Sequence, residues 1–261
     1  MGTNALQLLV QYGNDGESSE EDVPGPNVST KRRFKEENPK RLPLPDCIKK
    51  IDGPTWVDDP SKHQGRIRSF KHERGNWATF VYIPCEPHNG FTLLQESLMS
   101  CIPEVPFQKI DDLHLSLTKT VVLKYHWIHS FINSIKDRVS HFRRFVLTFG
   151  NLQVYCNEEK TRTFIGLEVT SAHDTLNSII EELDKCLSEF QLPLFYKDPS
   201  FHISILWCVG DLKSKLESYL HHFDLIIKNI LIENSDEIWH IAVNYLFCKT
   251  GNKKFQFPLD S

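Results

Sequence analysis

Apolar residues from Trp77 onward recur with two different periods, which predict an alternation of strands and helices. Alternating or continuous apolar runs predict strands over 77–83, 113–118, 145–155, 164–170, 201–207, 226–232, 239–248 and 254–257. Apolar residues at intervals of three and four predict helices over 91–101, 128–142, 176–190 and 212–220. The apolar stripe of each long helix is expected to pack against a sheet.

The order strand, helix, strand, helix occurs twice along the chain. A shift of 88 residues (202 minus 114) lays each element of the first round over its counterpart in the second, although few residues are identical. This repeat predicts an α+β fold of two pseudo-symmetric lobes, each an antiparallel sheet with flanking helices. The two lobes are expected to enclose a central cleft.

The first part of the chain has a different composition. Residues 1–65 contain 7 of the 14 prolines but only three of the 29 aromatic residues (5 Trp, 7 Tyr and 17 Phe). A segment with so few large apolar side chains cannot offset its ordering entropy by burial. We therefore predict a disordered tail over 1–65 and a single two-lobed domain over 66–261.

Charge, cysteine content and hydropathy narrow the classes of function. The net charge is -4, from 30 basic and 34 acidic residues, which argues against a protein that coats nucleic acid by bulk attraction. The seven cysteines include no Cys-x-x-Cys pair, so neither a disulfide framework nor a zinc ribbon is indicated. No apolar run reaches the length of a membrane span.

Two predicted strands carry the same polar motif at the same place in the repeat. Residues 113–118 contain His114 and Ser116, and residues 201–206 contain His202 and Ser204. Because side chains alternate between the faces of a strand, the histidine and serine of each motif share the face opposite the core. A third such motif, at 173–175, lies at a predicted helix start, where a capping role is the better interpretation.

Two histidines in one cleft suit phosphodiester transesterification or hydrolysis of a cyclic phosphate. An imidazole with a pKa of about 6.5 accepts a proton when neutral and donates one when protonated. One histidine would take the proton of a ribose 2′-hydroxyl and the other would protonate the leaving 5′-oxygen, while Ser116 and Ser204 would bind the phosphate oxygens. The sequence does not assign the two proton-transfer roles, and this chemistry requires no metal.

Paired His-x-Ser motifs on equivalent strands resemble the signature of the two-histidine (2H) phosphoesterases. Four further blocks, 72–79, 159–168, 196–202 and 248–252, are similar to the members of that family that process U6 small nuclear RNA. The likeness covers about residues 62–259. It implies a nuclear, monomeric 3′–5′ exoribonuclease without metal or cofactor. Its substrate would be the 3′ oligouridine tail of U6 RNA, which it would leave with a 2′,3′-cyclic phosphate.

The resemblance also implies roles for individual residues. His114 and His202 would be the proton donor and acceptor, and Ser116 and Ser204 the phosphate ligands. The substrate would further contact Tyr196, by stacking on a terminal base, together with Ser200 and Glu158. Glu158 stands where the family has an uncharged glutamine.

Two other functions compete with this hypothesis. One is a 2′,3′-cyclic phosphodiesterase that acts on small nucleotides, and the other is a single-stranded RNA-binding module without catalysis. His126 with His129, and His221 with His222, are weaker candidates for metal ligands, because no further ligand follows at zinc-like spacing.

Overall fold

The computed structural model describes residues 59–67, 70, 73–86, 89–233 and 240–261, with backbone only for 231–233. Its strands are β1 Asn76–Pro84, β2 Gln108–Lys109, β3 His114–Ser116, β4 Val121–Lys124, β5 Phe145–Cys156, β6 Arg162–Val169, β7 His202–Val209, β8 His240–Val243, β9 Tyr245–Thr250 and β10 Lys253–Pro258. Its α-helices are α1 Asn89–Cys101, α2 Ile128–Val139, α3 His173–Glu189, α4 Lys213–Glu217 and α5 Leu220–Glu233. The fold is therefore mixed α+β.

The ten strands of the described residues form one sheet in the order β10-β9-β1-β3-β7-β6-β5-β8, with β2 paired to β7 and β4 to β1. The pairs between these strands are antiparallel. The two strands that carry the His-x-Ser motifs, β3 and β7, are neighbours in the middle of this order. Strand β1 flanks them on one side and β6 on the other.

The sheet is curled. Strand β8 lies at one end of the strand order and β9 lies next to the other end, yet only Asn244 separates them along the chain. The last residue of β8 and the first of β9 can therefore be at most about 7 Å apart, so the two ends of the sheet must approach each other. Such a curled sheet has a concave face on which distant strands can place side chains close together.

The helices cover the sheet with the apolar stripes that the sequence predicts. The buried positions of α2 are Ile128, Phe131, Ile132, Ile135 and Val139. Those of α3 are Leu176, Ile179, Ile180, Leu183, Cys186 and Leu187. Helix α2 packs beside α3, and α1 beside α5. The same hydrophobic core also contains Leu115 of β3 and Ile203 of β7, so burial of these two residues fixes which face of each motif strand is polar.

Two predicted elements near the end of the chain are wrong. The apolar run 226–232, predicted as a strand, lies in helix α5, where Phe223, Ile227 and Ile230 are buried at helical spacing. The predicted strand 239–248 is two strands, because β8 pairs with β5 whereas β9 pairs with β1. A change of strand partner leaves no mark on the alternation of apolar residues.

Most of the predicted tail lies outside the described residues. Within its last residues, Pro60–His63 form a short 3-10 helix that begins with Asp59, whose side chain accepts a hydrogen bond from the Ser61 backbone N–H. In the residues that the structure describes, no helix is long and apolar enough to cross a bilayer. The six described cysteines all carry free thiols.

Candidate active site

The pairing of β3 with β7 brings the two His-x-Ser motifs onto one face of the sheet. Leu115 is the partner of Ile203 in this antiparallel pair. Because residue numbers run in opposite directions along the two strands, His114 faces Ser204 and Ser116 faces His202. Residues directly opposite each other share a face of the sheet, so the four polar side chains form a compact group. The structure thus brings together the four residues predicted as the catalytic core.

Both histidines are held in the same way by their own strands. Nδ1 of His114 lies 2.6 Å from the backbone oxygen of Asp112, and Nδ1 of His202 lies 2.8 Å from that of Ser200. A carbonyl oxygen can only accept, so each Nδ1 must carry the proton and donate it. In the neutral ring, Nε2 is then the unprotonated nitrogen, able to accept a proton from a bound molecule.

His202 lies flat against Tyr155 of β5. The two ring centroids are 3.6 Å apart and the planes differ by 11°. Gly166 of β6 lies between them in the sheet, and a Cβ there would be 2.9 Å from His202 Cδ2 and 2.9 Å from Tyr155 Cε2. The glycine is therefore needed for the two rings to meet above the backbone.

This packing changes the protonation of His202. The side chain is only partly exposed, and its pKa is lowered from 6.5 to about 4, mainly by burial and to a smaller extent by the nearby His114. The hydrogen bond to Ser200 opposes the shift. His202 is consequently neutral at physiological pH, with a basic nitrogen available.

The hydroxyl of Tyr155 is buried beside His202. Burial raises the pKa of its hydroxyl, and the Ser200 side chain partly opposes that shift although it lies outside hydrogen-bond geometry. Among the described residues, this buried hydroxyl has no hydrogen-bond partner. A buried polar group left unpaired in this way costs free energy.

His114 has a different environment, built from β1 and β9. Its ring lies 5.2 Å from that of Tyr82 in an edge-on arrangement and 5.6 Å from that of Phe80. The carboxylate of Asp112, the residue whose backbone holds the His114 ring, pairs with Lys249 Nζ at 3.7 Å. Lys249 thus contacts the same residue that holds the His114 ring.

Two of the predicted substrate-binding residues form a cluster around a lysine that sequence reasoning missed. Lys119 Nζ lies 2.9 Å from Glu158 Oε1 and 4.2 Å from the centroid of the Tyr196 ring. Burial and the Glu158 carboxylate raise the pKa of the Tyr196 hydroxyl, whereas Lys119 opposes them. The Tyr196 side chain is 44% exposed, so its ring remains accessible. Ser200, the third predicted residue, is joined to His202 through its backbone oxygen.

Comparison with known proteins identifies the family. The chain matches the HVSL family, described as "Uncharacterised conserved protein", over residues 42–258. It is 40% identical over 265 residues to U6 snRNA phosphodiesterase 1 of Bos taurus, covering 96% of this chain and 98% of that protein. The Xenopus laevis protein of the same name is 42% identical over 258 residues, covering 96% of this chain and 99% of that protein.

The chain belongs to the U6 snRNA phosphodiesterase 1 family. These relatives confirm the family that the motif blocks indicated. Among solved structures, Kluyveromyces marxianus Usb1 with uridine monophosphate superposes with a TM-score of 0.48 at 13% identity, covering 69% of this chain and 98% of that one.

Three residues of this U6 snRNA phosphodiesterase 1 family member were missed by sequence reasoning, namely Lys119, Tyr155 and Gly166. Tyr155 and Gly166 reach His202 only through the pairing of β5, β6 and β7, and Lys119 reaches Tyr196 across more than 70 residues of chain. A glycine inside a strand is a weak signal of close backbone approach, so Gly166 alone had a detectable sign. In the described part of the chain, no three His, Cys, Asp or Glu side chains are grouped as metal ligands.

Proposed function

We propose that this chain is a nuclear 3′–5′ exoribonuclease that trims the 3′ oligouridine tail of U6 snRNA. The reaction would be a transesterification without metal, leaving a 2′,3′-cyclic phosphate end. One observation carries the proposal: His114 and His202 each donate Nδ1–H to a backbone oxygen and stand opposite the serine of the other motif. Family membership supports U6 snRNA as the substrate, since the relatives are named U6 snRNA phosphodiesterase 1.

The arrangement of the sheet supports a cleft between two related lobes. Outward from the central pair, β3 is followed by β1 and β9, and β7 by β6 and β5. Each half contributes one histidine held by the backbone oxygen two residues earlier. A phosphate that lies over the β3–β7 pair would have one imidazole on each side, as in-line displacement requires.

His202 is the proposed general base. Its low pKa, caused mainly by burial, keeps Nε2 unprotonated at neutral pH. Nε2 would take the proton of the 2′-hydroxyl of the penultimate nucleotide, and O2′ would then bond to phosphorus. This intramolecular nucleophile explains why no serine or water has to attack.

His114 is the proposed general acid. As the P–O5′ bond breaks, protonated Nε2 of His114 would give its proton to O5′, so the terminal nucleotide leaves with a 5′-hydroxyl. After the step, His202 is protonated and His114 is neutral. The remaining RNA ends in a 2′,3′-cyclic phosphate. Each transfer contributes about 100-fold to 10,000-fold to the rate.

Ser116 and Ser204 are the proposed phosphate ligands. Each lies opposite a histidine in the register, on the face where the phosphate would bind. Their hydroxyls would donate to the non-bridging oxygens, which gain charge as phosphorus becomes five-coordinate. The buried Tyr155 hydroxyl lies on the same side, beside His202.

Tyr196, Ser200 and Glu158 are the proposed contacts of the terminal nucleotide. The exposed ring of Tyr196 offers a stacking surface, and a base on an aromatic ring is worth about 1 to 3 kcal/mol. Lys119 adds a positive charge close to that ring. The chain is expected to act as a monomer, because a cleft of this kind is complete within one molecule.

An RNA that ends in uridines, with and without a 2′-deoxy sugar at the penultimate position, tests this function. The wild-type chain should shorten the all-ribose RNA and leave the 2′-deoxy RNA intact, because the latter lacks the nucleophile. His202→Asn and His114→Asn keep a donor to the backbone oxygen but lose the proton-transfer nitrogen, so both should lose activity. Equal cleavage of the two RNAs would refute transesterification.

The same assay separates the two competing functions. A cyclic phosphodiesterase for small nucleotides would open a uridine 2′,3′-cyclic phosphate and leave the RNA intact. An RNA-binding module would bind the RNA without shortening it, and His202→Asn would not alter the result.

A further inference from the structure

Strand β6 carries an arginine on the face of the candidate active site. A Cβ at Gly166 would lie 2.9 Å from the His202 ring, so Gly166 marks that face. Because side chains alternate along a strand, Phe164 and Arg162 share the face with Gly166. Cζ of Arg162 lies 5.2 Å from the centroid of the Phe164 ring and 5.9 Å from that of Trp207. The two rings thus hold the guanidinium on the His202 side of the β3–β7 pair.

Arg162 is close enough to the candidate site for one RNA strand to reach both. Gly166 is the partner of the proposed phosphate ligand Ser204 in the β6–β7 pair. Arg162 lies four residues before Gly166, which corresponds to about 13 Å along the strand. Because the Arg162 side chain extends over Phe164, its guanidinium is directed back toward Ser204 and the separation is shorter.

A second arginine, Arg66, approaches Arg162 from the segment that precedes β1. This segment packs against the end of β7, since a Cβ at Gly65 would lie 3.2 Å from Val209 Cγ2. Val209 is the strand partner of Arg162. Arg66 is exposed, and its charge is near enough to contribute to the lowered pKa of Arg162, of which burial is the main cause. The two cations therefore converge at one end of the β6–β7 pair.

No carboxylate neutralises this pair of arginines within the described residues. None lies within ion-pair distance of Arg66 or Arg162 there. Nε of Arg162 is buried and finds no hydrogen-bond partner in the same part of the chain. Glu159 only partly opposes the lowered pKa of Arg162. Two like charges in such a place repel each other, so an anion bound between them would be stabilised.

We infer that Arg66 and Arg162 form a subsite for a backbone phosphate of the RNA on the 5′ side of the scissile phosphate. Guanidinium groups donate charge-assisted hydrogen bonds to phosphate oxygens, and their planar fork fits two oxygens at once. The inference rests on the proposed function, because it extends the substrate beyond the nucleotides at His114 and His202. It provides local positive charge in a chain whose net charge is -4.

The direction of the RNA follows from the proposed roles of the histidines. His202 would take a proton from the 2′-hydroxyl of the nucleotide on the 5′ side, so that nucleotide lies on the same side of the β3–β7 pair as Arg162. A terminal nucleotide with a free 3′-hydroxyl also carries no phosphate beyond the scissile one. A second backbone phosphate must therefore precede the scissile phosphate.

The subsite is expected to read charge and not bases. Arg162 already covers the rings of Phe164 and Trp207, and Trp207 is only 9% exposed. These rings consequently position the guanidinium and offer no surface for stacking. Contacts to phosphate carry no sequence information by themselves.

Lys160 provides a matched control in the turn between β5 and β6. Its Nζ lies 3.4 Å from Asp211 Oδ2, so its charge is already compensated. Lys160→Gln removes one positive charge two residues from Arg162, whereas Arg162→Gln and Arg66→Gln remove charge from the subsite. Because Arg66 is exposed, Arg66→Gln tests the inference even where Arg162→Gln impairs folding.

The test is the affinity of the full chain for fluorescent oligouridines with a 2′-deoxy penultimate sugar, which prevents cleavage. Wild type should bind a tetranucleotide about tenfold more tightly than a dinucleotide, which has only the scissile phosphate. Uncharged methylphosphonate linkages in place of the two 5′ phosphates should abolish this gain. Arg162→Gln and Arg66→Gln should each lose most of the gain and should bind the dinucleotide like wild type.

The salt dependence gives a second readout of the same contact. Each arginine variant should reduce the slope of log affinity against log salt by about 0.7, the value for one phosphate contact of a single strand. Lys160→Gln should leave both the affinity and the slope unchanged.

Equal affinity of wild type for the tetranucleotide and its methylphosphonate form would overturn the inference, as would equal effects of Arg66→Gln and Lys160→Gln. A dinucleotide with a terminal 3′-phosphate checks the direction. If that phosphate supplies the affinity that Arg162→Gln loses, the subsite lies on the leaving side and the inference is wrong. Because these RNAs are not cleaved, the result is independent of catalysis. Failure of the wild-type chain to shorten the all-ribose RNA would count against the proposed function instead.

Discussion

The imidazole of His202 is stacked on the phenol ring of Tyr155, with centroids 3.6 Å apart and planes 11° apart. The contact crosses the sheet above Gly166, where a side chain would separate the rings. It removes water from one face of the imidazole and thereby favours the neutral form. The protonation of the proposed base is thus set by packing between strands that are far apart in sequence.

Replacement of Tyr155 by alanine should move the acidic limb of the pH profile. Water would reach the ring, and the pKa of His202 would rise from about 4 toward 6.5. The base must be neutral to act, so the pH at which kcat/KM falls to half should rise by at least one unit. Tyr155→Phe, which keeps the stack, should leave this limb unchanged, and a shift of equal size in both variants would contradict the explanation.

Gly166→Ala should damage activity more than stability. The new Cβ would lie 2.9 Å from both rings, and one of them must move aside. A displaced His202 misses the 2′-hydroxyl, so kcat should fall by about 100-fold or more, as expected for loss of one proton-transfer group. Turnover and urea unfolding of the same preparation check this, and near wild-type turnover in a folded variant would show that the rings need no glycine.

The stability of the fold should decline as the pH falls from 6.5 to 4. The folded pKa of His202, about 4, lies below the value of 6.5 in the unfolded chain, so the unfolded state takes up a proton first. The contribution of His202 to the free energy of unfolding is complete above pH 6.5 and is lost toward pH 4. Near pH 5 the loss amounts to about 1 to 2 kcal/mol. Urea unfolding at about pH 7.5 and about pH 5 should show this loss in wild type and a smaller one in His202→Asn.

Glu158→Gln should strengthen the binding of oligouridine modestly. The carboxylate now holds Lys119 at 2.9 Å and repels phosphate, and the amide would do neither. An exposed ion pair contributes about 0 to 1 kcal/mol, so KM should fall by up to about fivefold with little change in kcat. Lys119→Gln removes the positive charge of the same ion pair and should raise KM. A fall in kcat with Glu158→Gln would place the carboxylate in the chemistry instead.

Much of the fold could be predicted from periodicity. Helices α2 and α3 bury the apolar stripes that their spacing indicates, and strands β1, β5, β6, β7 and β10 follow the predicted runs. Helix α5 could not be recognised in 226–232, because a short run of isoleucines and leucines fits a buried strand as well as a helix. Its burial pattern becomes helical only when Phe223 is included.

Some residues of the candidate site could likewise be predicted from the sequence, and others could not. His114, Ser116, His202 and Ser204 were predictable because each motif is local and the two motifs recur at one place in the repeat. Lys119, Tyr155 and Gly166 depend on strand register and on loops that meet across the sheet, which no local pattern encodes. The assignment of His202 as the base likewise required its burial to be known.

Mass spectrometry of the RNA 3′ end tests the histidine pair most directly. An oligouridine-tailed RNA is incubated with wild type, His114→Asn and His202→Asn, and the mass of the shortened RNA identifies its terminal group. The account predicts a 2′,3′-cyclic phosphate from wild type and full-length RNA from both variants. A shortened RNA with a plain 3′-hydroxyl, or a cyclic phosphate formed by either variant at the wild-type rate, would contradict it.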